Sequence, residues 1–251
     1  MIRFTNVHKS FGDNVILNGL NIHVPKGETM VLVGGSGTGK SVSLKHMIGL
    51  LAPDEGEVLI DGENISTARG KQLESILDKF GVLFQSGALL QWKTVFDNIA
   101  LPLLEKTDLS DDEIREKVMD ALDLVNLDGA ENKFPSEISG GMNKRAALAR
   151  AIITKPQILL YDEPTSGLDP VMSRHVDGMI KDMQEKLGVT SVVITHDLHS
   201  AFSIADKVTM LFEGQSVESS HPEEFIKSEH PFVKEFIKSQ FETGKVQELK
   251  L

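Results

Sequence analysis

The chain has 251 residues, of which 40% are apolar and 25% are charged, a composition typical of a soluble globular protein with one large domain or a core domain with an insert. Its formal net charge of −11 at pH 7 argues against a protein that coats nucleic acid, because such proteins need a basic surface to displace counterions from phosphates. The chain has no cysteine, which excludes a disulfide framework and thiolate metal sites and is consistent with a cytoplasmic protein.

The first part of the chain is predicted to be rich in strands. Residues 2–8 and 20–24 have strand patterns, and the N-terminus lacks the charged, apolar and small-residue succession of a signal peptide. No apolar run approaches the roughly 20 residues that cross a bilayer, so we expect any membrane association to go through a partner. Between the two strands, Phe11 precedes a glycine in a turn-rich loop. Its ring could stack on a nucleobase or cover the edge of the sheet.

A glycine-rich stretch at residues 34–41 fits the phosphate-loop pattern G-x-x-x-x-G-K-[ST]. It follows the apolar run 30–33 and precedes a helical pattern, which gives the strand, glycine turn and helix start that this motif requires. Glycines let backbone N–H groups approach a polyphosphate, and the helix N-terminus adds the positive end of its dipole. We expect Lys40 to reach the β and γ phosphates of a nucleotide and the Ser41 hydroxyl to ligate Mg²⁺. The residues of this cradle are Gly34, Gly35, Ser36, Gly37, Thr38, Gly39, Lys40 and Ser41.

Two more strands follow the loop and its helix, at residues 57–62 and 80–84, so we expect a mixed sheet. The second of them ends at Gln85. This glutamine could be an ordinary surface residue, or it could reach a metal ion or the attacking water, and its spacing does not decide between these roles.

The segment 86–135 is predicted to be a helical subdomain inserted into the sheet domain. A capping box at 110–113 starts a helix with apolar residues at helical spacing, and 95–104 forms a shorter apolar helix before it. The turn Ser139-Gly140-Gly141 then precedes an alanine-rich helix. A turn of this kind makes a second backbone anion site, again through free N–H groups and the helix dipole.

Two acidic residues and a histidine follow later strands. Strand 157–161 ends in Asp162 and Glu163, and strand 191–195 is followed by His196. We expect Asp162 to hold Mg²⁺ through water and Glu163 to act as general base toward the hydrolytic water. His196 lies at the same predicted sheet edge, where it could contact a γ-phosphate or be an ordinary structural histidine.

The motifs in this order resemble the ATP-binding cassette (ABC) ATPases over nearly the whole chain, and six together are far more specific than any one. They are residues 34–41, Gln85, Ser139–Gly141, Asp162–Glu163, Ser166–Asp169 and His196. The resemblance implies an α/β fold: a P-loop NTPase (RecA-like) core sheet, an antiparallel β subdomain and an inserted α-helical subdomain. Within a single ABC ATPase domain at 1–251, it implies the core and β subdomain at 1–85 and 136–220, the helical subdomain at 86–135, and peripheral C-terminal helices at 221–251.

The same resemblance implies an assembly and a set of residue roles. ABC ATPases work as head-to-tail dimers in which each ATP, with Mg²⁺, lies between the phosphate loop of one chain and the signature Ser139–Gly141 of the other. We therefore expect this chain to hydrolyse ATP together with a second copy of itself. The implied roles are adenine stacking for Phe11, metal and water contact with transporter sensing for Gln85, catalytic base for Glu163, γ-phosphate switch for His196, and communication across the dimer for Asp169.

Two positions depart from the usual pattern of the family. Met142 replaces the usual glutamine after the signature glycines, and Phe11 replaces a common tyrosine. Phenylalanine keeps the stacking face, and the Ser139 hydroxyl and the glycine N–H groups remain, so the departures do not imply inactivity. The segment Ile138–Met142 with Arg145–Ala151, together with residues 84–89 and 95–99, is similar to the Mla-type branch of the family.

The Mla-type resemblance implies an ATPase that powers phospholipid or hydrophobic-solute transport across the bacterial envelope. It implies a peripheral position on the cytoplasmic face of the inner membrane, with a permease, an MCE-domain protein and small regulatory subunits as partners and without nucleic acid.

An ABC ATPase that moves another solute is the main alternative. A DNA-repair or chromosome-organising ATPase would carry a long coiled-coil insert, whereas the sequence before Ser139 contains no sustained heptads. A translation factor of the superfamily would need two cassettes. A small-molecule kinase would leave Ser139–Gly141 and His196 without a role.

Overall fold

Two β-sheets organise residues 1–241, the part of the chain that the computed structural model describes. The strands are β1 (Ile2–Phe11), β2 (Asn14–Val24), β3 (Thr29–Val33), β4 (Glu55–Ile60), β5 (Glu63–Asn64), β6 (Phe80–Leu83), β7 (Ile158–Asp162), β8 (Thr190–Ile194), β9 (Lys207–Phe212) and β10 (Gln215–Ser220). An antiparallel sheet has the order β2-β1-β4-β5, and a six-stranded sheet has the order β10-β9-β3-β8-β7-β6. The antiparallel sheet is the β subdomain that the family resemblance implies.

The six-stranded sheet is mixed, as expected. Strands β6, β7, β8, β3 and β9 run parallel, and β10 pairs antiparallel with β9 at the edge. Parallel strands are buried on both faces and are therefore continuous apolar runs. In β3, Val31 and Val33 pack into a core on one face, and Met30 and Leu32 pack into the core on the other.

Nine helices within residues 1–241 cover these sheets or extend from them. They are α1 (Lys40–Met47), α2 (Lys71–Leu77), α3 (Val95–Lys106), α4 (Asp111–Leu124), α5 (Gly140–Ile152), α6 (Pro170–Leu187), α7 (Leu198–Ile204), α8 (Pro222–Phe225) and α9 (Pro231–Gln240), with a 3₁₀ turn at Pro135–Glu137.

The predicted helical segment 86–135 contains α3 and α4. Both start with capping boxes, at Thr94 and Ser110, as the sequence predicts for the second of them. Ile99 of α3 and Val118 of α4 lie in the same hydrophobic core as α5 and one face of the large sheet. The helices are therefore packed on the sheet through a continuous apolar contact.

The N-terminal hairpin is longer than the sequence patterns predict. Strands β1 and β2 pair from Ile2↔Val24 to Phe11↔Asn14, with a two-residue turn in which Gly12 has φ +60°. Such tight turns need a positive φ, which glycine adopts without strain. The predicted loop around Phe11 is therefore wrong: Phe11 ends a strand, and its side chain is half exposed.

The C-terminal part of the described chain consists of α8 and α9. The predicted helical region 221–251 extends past them, and residues 242–251 lie outside the described residues. No helix within residues 1–241 combines the length and apolar character needed to cross a membrane.

A buried carboxylate links α6 to α7. Asp177 is 6% exposed; one of its oxygens accepts a hydrogen bond from the Ser200 hydroxyl at 2.8 Å, and the other has no hydrogen-bond partner among residues 1–241. Burial, and secondarily the charge of Asp197, raise the pKa of Asp177 to about 6, against the Ser200 hydrogen bond, which lowers it. The folded chain therefore favours the neutral acid more than the unfolded chain does.

We predict that Asp177→Asn stabilises the protein at pH 7.5, where asparagine replaces a buried charge. The gain should be about 1–3 kcal/mol in the free energy of unfolding, from a shift of roughly two pKa units. It should shrink at pH 5, because parent Asp177 is then largely protonated in the folded chain and gains stability as the pH falls through its raised pKa. Urea unfolding at both pH values measures this difference, and an equal gain at both would contradict the assignment.

Candidate functional site

The predicted site residues meet at one edge of the large sheet. The parallel strands β3, β6, β7 and β8 end at this edge, and the residues after them line a cavity of about 640 Å³. The predicted residues in its wall are Gly34, Gly35, Ser36, Gly37, Gly39, Lys40, Ser41, Gln85, Asp162, Glu163 and His196. The structure therefore brings these predicted residues together in one cavity.

The loop at residues 34–41 depends on its glycines. Gly39 has φ +102°, and a Cβ atom there would lie 2.6 Å from Leu17 Cδ2. A Cβ atom at Gly34, where φ is +148°, would lie 2.4 Å from the carbonyl oxygen of Leu211. Gly39 is also the N-cap of α1 and provides no side-chain cap. The backbone N–H groups at the start of α1 are therefore available to an anion in the cavity.

Lys40 lies across its own loop. Its side chain is buried, and Nζ donates hydrogen bonds to the carbonyl oxygens of Gly34 at 2.7 Å and Gly35 at 2.8 Å. Burial lowers the pKa of Lys40, while the nearby carboxylates of Glu163 and Asp162 favour its charged form. The ammonium group is therefore held beside the cavity by weak partners that a phosphate could replace.

The Asp162 carboxylate lies among several charged groups. Burial, followed by the charge of Glu163, raises the pKa of Asp162, whereas the ammonium groups of Lys40, Lys144 and Lys45 lower it. A charged group that is removed from water and surrounded by cations and one like charge is typical of functional sites.

Glu163 is held in a strained backbone conformation. Its φ is +49°, a left-handed value that is uncommon outside glycine, and its N–H donates to the Ile194 carbonyl oxygen at 2.8 Å. The Glu163 Oε2 atom lies 2.8 Å from Nδ1 of His196, whose side chain is 63% exposed. This pair forms a hydrogen bond at the mouth of the cavity. Gln85 contributes a further polar side chain, and its Nε2 donates to the Ser166 hydroxyl at 3.2 Å.

Six predicted site residues do not line this cavity: Phe11, Thr38, Ser139, Gly140, Gly141 and Asp169. The Thr38 hydroxyl donates to the Gly35 carbonyl oxygen at 3.0 Å and so supports the loop from within. Ser139 is the N-cap of α5 and accepts a hydrogen bond from the Met142 N–H at 3.3 Å. Asp169 is the N-cap of α6. The Ser139–Gly141 turn is therefore part of a separate surface of the chain.

The sequence analysis missed several residues of the cavity wall. Ile16 and Val42 supply apolar surface, and Phe236 and Gln240 come from α9, which the sequence patterns predicted to be peripheral. Helix α9 instead buries Val233 and Ile237 in the core beside α7. Its helical apolar spacing was a signal for packing, but that pattern does not identify the surface against which a helix packs.

Comparisons with known proteins all identify the same family. The family profile described as "ABC transporter" matches residues 17–166, more than half of the chain. The "Probable ribonucleotide transport ATP-binding protein mkl" of Mycobacterium leprae is 45% identical over 236 residues, covering 94% of this chain and 68% of that protein. The chain thus spans about two thirds of that relative's length.

Two further similarities cover nearly whole chains. The "Intermembrane phospholipid transport system ATP-binding protein MlaF" of Haemophilus influenzae is 38% identical over 240 residues, covering 96% of this chain and 91% of that protein. A dimeric post-hydrolysis structure of the ATP-binding cassette MJ0796 with ADP and Pi superimposes with a TM-score of 0.81 at 32% identity. It covers 88% of this chain and 99% of the other.

We predict that Gly39→Ala weakens ATP binding by about 30-fold. The added methyl group meets Leu17 and requires a positive φ, so the loop must move, at a cost of about 2 kcal/mol. Gly178→Ala is the matched control, because Gly178 is exposed within α6 and an added Cβ meets nothing within 4 Å. The control should bind ATP normally and gain roughly 0.5–1 kcal/mol of stability. Calorimetric titration with ATP tests both, and normal binding by Gly39→Ala would refute the loop assignment.

Proposed function

The chain belongs to the ABC transporter family and is an ATPase, and from this premise we propose that it powers phospholipid transport through a membrane permease. The observation that carries this proposal is the near full-length correspondence with the phospholipid transport protein MlaF, which is covered to 91%. The mkl relative, named for ribonucleotide transport, is more identical but is covered to only 68%. Transport of another solute is therefore the alternative outcome of the test below.

In this proposal the phosphate loop binds the polyphosphate of ATP. Backbone N–H groups of residues 34–41 and the start of α1 face the phosphate oxygens. Lys40 exchanges the carbonyl oxygens of Gly34 and Gly35 for β- and γ-phosphate oxygens, a stronger and charge-assisted contact. The loop therefore already holds the Lys40 ammonium group beside the cavity before the nucleotide binds.

Hydrolysis is assigned to Glu163 with His196. A water oxygen attacks the γ-phosphorus, Glu163 accepts the water proton, and the bond to the β-phosphate oxygen breaks to give ADP and phosphate. The hydrogen bond from His196 restricts the Glu163 side chain, and the left-handed backbone at Glu163 restricts it further. His196 can then leave Glu163 for the γ-phosphate, which makes its contact sensitive to the state of the nucleotide.

The proposed Mg²⁺ ligands are Ser41, Gln85 and Asp162, three oxygen-bearing side chains in the cavity wall. Within residues 1–241 no group of three or more His, Cys, Asp or Glu side chains could hold a metal by itself. This fits Mg²⁺, which usually takes one or two protein carboxylates and completes its coordination with water and substrate phosphates. When bound, the ion neutralises charge that develops on the phosphate oxygens.

The proposed active form is a dimer in which each ATP contacts two chains. The exposed turn at Ser139 and Gly140 lies outside the cavity of its own chain, although its N-cap geometry suits an anion. A second copy would present this turn to the phosphate loop, with Asp169 in the contact between chains. Phe11, half exposed beside the cavity-lining strand β2, is the proposed contact of the adenine.

The proposed permease contact is the segment 86–104 of the helical subdomain 86–135. Trp92 is 74% exposed and Leu104 is 53% exposed, large apolar side chains that a partner surface could cover. This contact would hold the chain at the inner face of the membrane, in a complex that also contains MCE-domain and small regulatory subunits. Gln85, directly before the segment, would pass its movement to the cavity.

We predict that Glu163→Gln retains ATP binding but lowers kcat by about 10²-fold or more, because the water loses its proton acceptor. With ATP the variant should also become dimeric in light scattering. Glu213→Gln is the matched control, since Glu213 has a similar φ of +48° but lies in the β9–β10 turn. Parental turnover by Glu163→Gln would refute the base assignment.

We predict that Trp92→Glu abolishes co-purification of the chain with its permease from membrane extracts, while isolated ATPase activity stays normal. Leu50→Glu, at a residue that is 66% exposed outside the proposed segment, should co-purify like the parent.

Mass spectrometry of the parental complex should find enriched phospholipid. Enrichment of ribonucleotides other than ATP and ADP, without phospholipid, would overturn the proposed cargo.

A further inference from the structure

One buried lysine joins three functional segments of the chain. Lys144 lies in α5, five residues after Ser139 and so about 7.5 Å farther along the helix axis. It is 7% exposed. Its Nζ donates hydrogen bonds to the backbone carbonyl oxygens of Gln85 and, at 3.4 Å, of Glu163. The helix that begins at the signature turn thereby contacts both the glutamine and the proposed base.

The charge of Lys144 also acts on this region. Burial lowers its pKa, and the carboxylates of Asp162 and Glu163 favour its charged form. Its hydrogen-bond acceptors are backbone carbonyls, whose positions define the backbone at Gln85 and at the strained Glu163. A single ammonium with three donors can bind both carbonyls, whereas a neutral apolar side chain can bind neither.

Other contacts make α5 and the residues after Gln85 one unit. Arg150 donates to the carbonyl oxygens of Gly87 at 2.9 Å and Ala88 at 2.8 Å. Asn143 packs so closely that a Cβ atom at Gly87 would lie 2.4 Å from its Oδ1. Among these three α5 residues, Lys144 is the one that also contacts Glu163. Movement of the segment after Gln85 is therefore transmitted to α5 as a whole.

We propose that Lys144 is a positioning residue that couples the two ATP half-sites of one chain, by holding the signature turn, Gln85 and Glu163 in a single unit. The inference rests on the proposed dimer, in which Ser139 serves the ATP of the partner and Glu163 serves the ATP of its own chain. Closure at one half-site then sets the geometry of the other. A two-state element contacted by both sites is what such coupling requires.

The test compares Lys144→Met, which keeps length but removes the donors, with Lys186→Met, at an exposed lysine of α6 whose salt bridge within residues 1–241 is with Asp182. Lys144→Met should lower kcat at saturating ATP by about 10- to 100-fold and change the Kd of ATP for the monomer by less than about threefold, because the base is misplaced while the phosphate loop is intact. Lys186→Met should match the parent. Thermal unfolding of each variant establishes that it is folded.

A second readout tests the coupling itself. In the Glu163→Gln background, Lys144→Met should raise the ATP concentration for half-maximal dimerisation by about 10-fold, within the usual range of coupling energies. If dimerisation is unchanged while kcat is reduced, Lys144 affects Glu163 of its own chain but not the signature turn. That result would overturn the coupling between the half-sites. An unchanged kcat would overturn the positioning role of Lys144. The parental protein is measured in the same assay: if it hydrolyses ATP, either result concerns Lys144 alone, and if it does not, the proposed function itself has failed.

Chemical restoration of the ammonium group at position 144 distinguishes the effect of its hydrogen bonds from a loss of packing. The chain has no cysteine, so Lys144→Cys introduces a unique thiol. Alkylation with bromoethylamine in the unfolded state, followed by refolding, restores an ammonium at lysine length. This product should regain kcat, whereas alkylation with 1-iodopropane, which gives a side chain of the same length with a methyl group in place of the ammonium, should not. Equal activity of both products would show that filling the space is sufficient and would contradict the role of the ammonium group.

Discussion

The site depends on the register of three parallel strands. Ile194, the last residue of β8, pairs with Leu32 of β3 on one side and with Asp162 of β7 on the other. Its carbonyl oxygen also accepts the N–H of Glu163. The phosphate loop, the carboxylates and His196 therefore leave the sheet side by side. A shift of one residue in any of these strands would turn their side chains to the opposite face and separate the groups.

The buried charges at this edge stabilise one another only in combination. Lys40 and Lys144 are buried and Asp162 is partly buried, and each charge would be costly to remove from water alone. The ammonium groups of both lysines donate hydrogen bonds to backbone carbonyl oxygens. In the proposed function this is a preorganised electrostatic site, in which Lys40 exchanges carbonyl acceptors for phosphate oxygens while Lys144 keeps its backbone contacts.

Sequence patterns predicted what local rules determine. The apolar strands, the capping box at Ser110 and the glycine loop each carry a short-range signal, and their order along the chain predicted the shared sheet edge. The partition of strands into two sheets, the contact of Lys144 with Gln85, and the docking of α9 beside the cavity depend on tertiary packing between distant segments. The length of the first hairpin was underestimated because its exposed polar residues weaken the alternation.

The central claim is that each ATP is bound by half-sites from two copies of the chain. Lys40→Ala and Ser139→Arg, each combined with Glu163→Gln, damage opposite halves of that composite site. Native mass spectrometry with ATP and Mg²⁺ counts both chains and nucleotides. A mixture of the two variants should give dimers that contain one ATP. Neither variant alone should give ATP-bound dimers. ATP-bound dimers of the Ser139→Arg variant by itself, as abundant as those of Glu163→Gln, would contradict it.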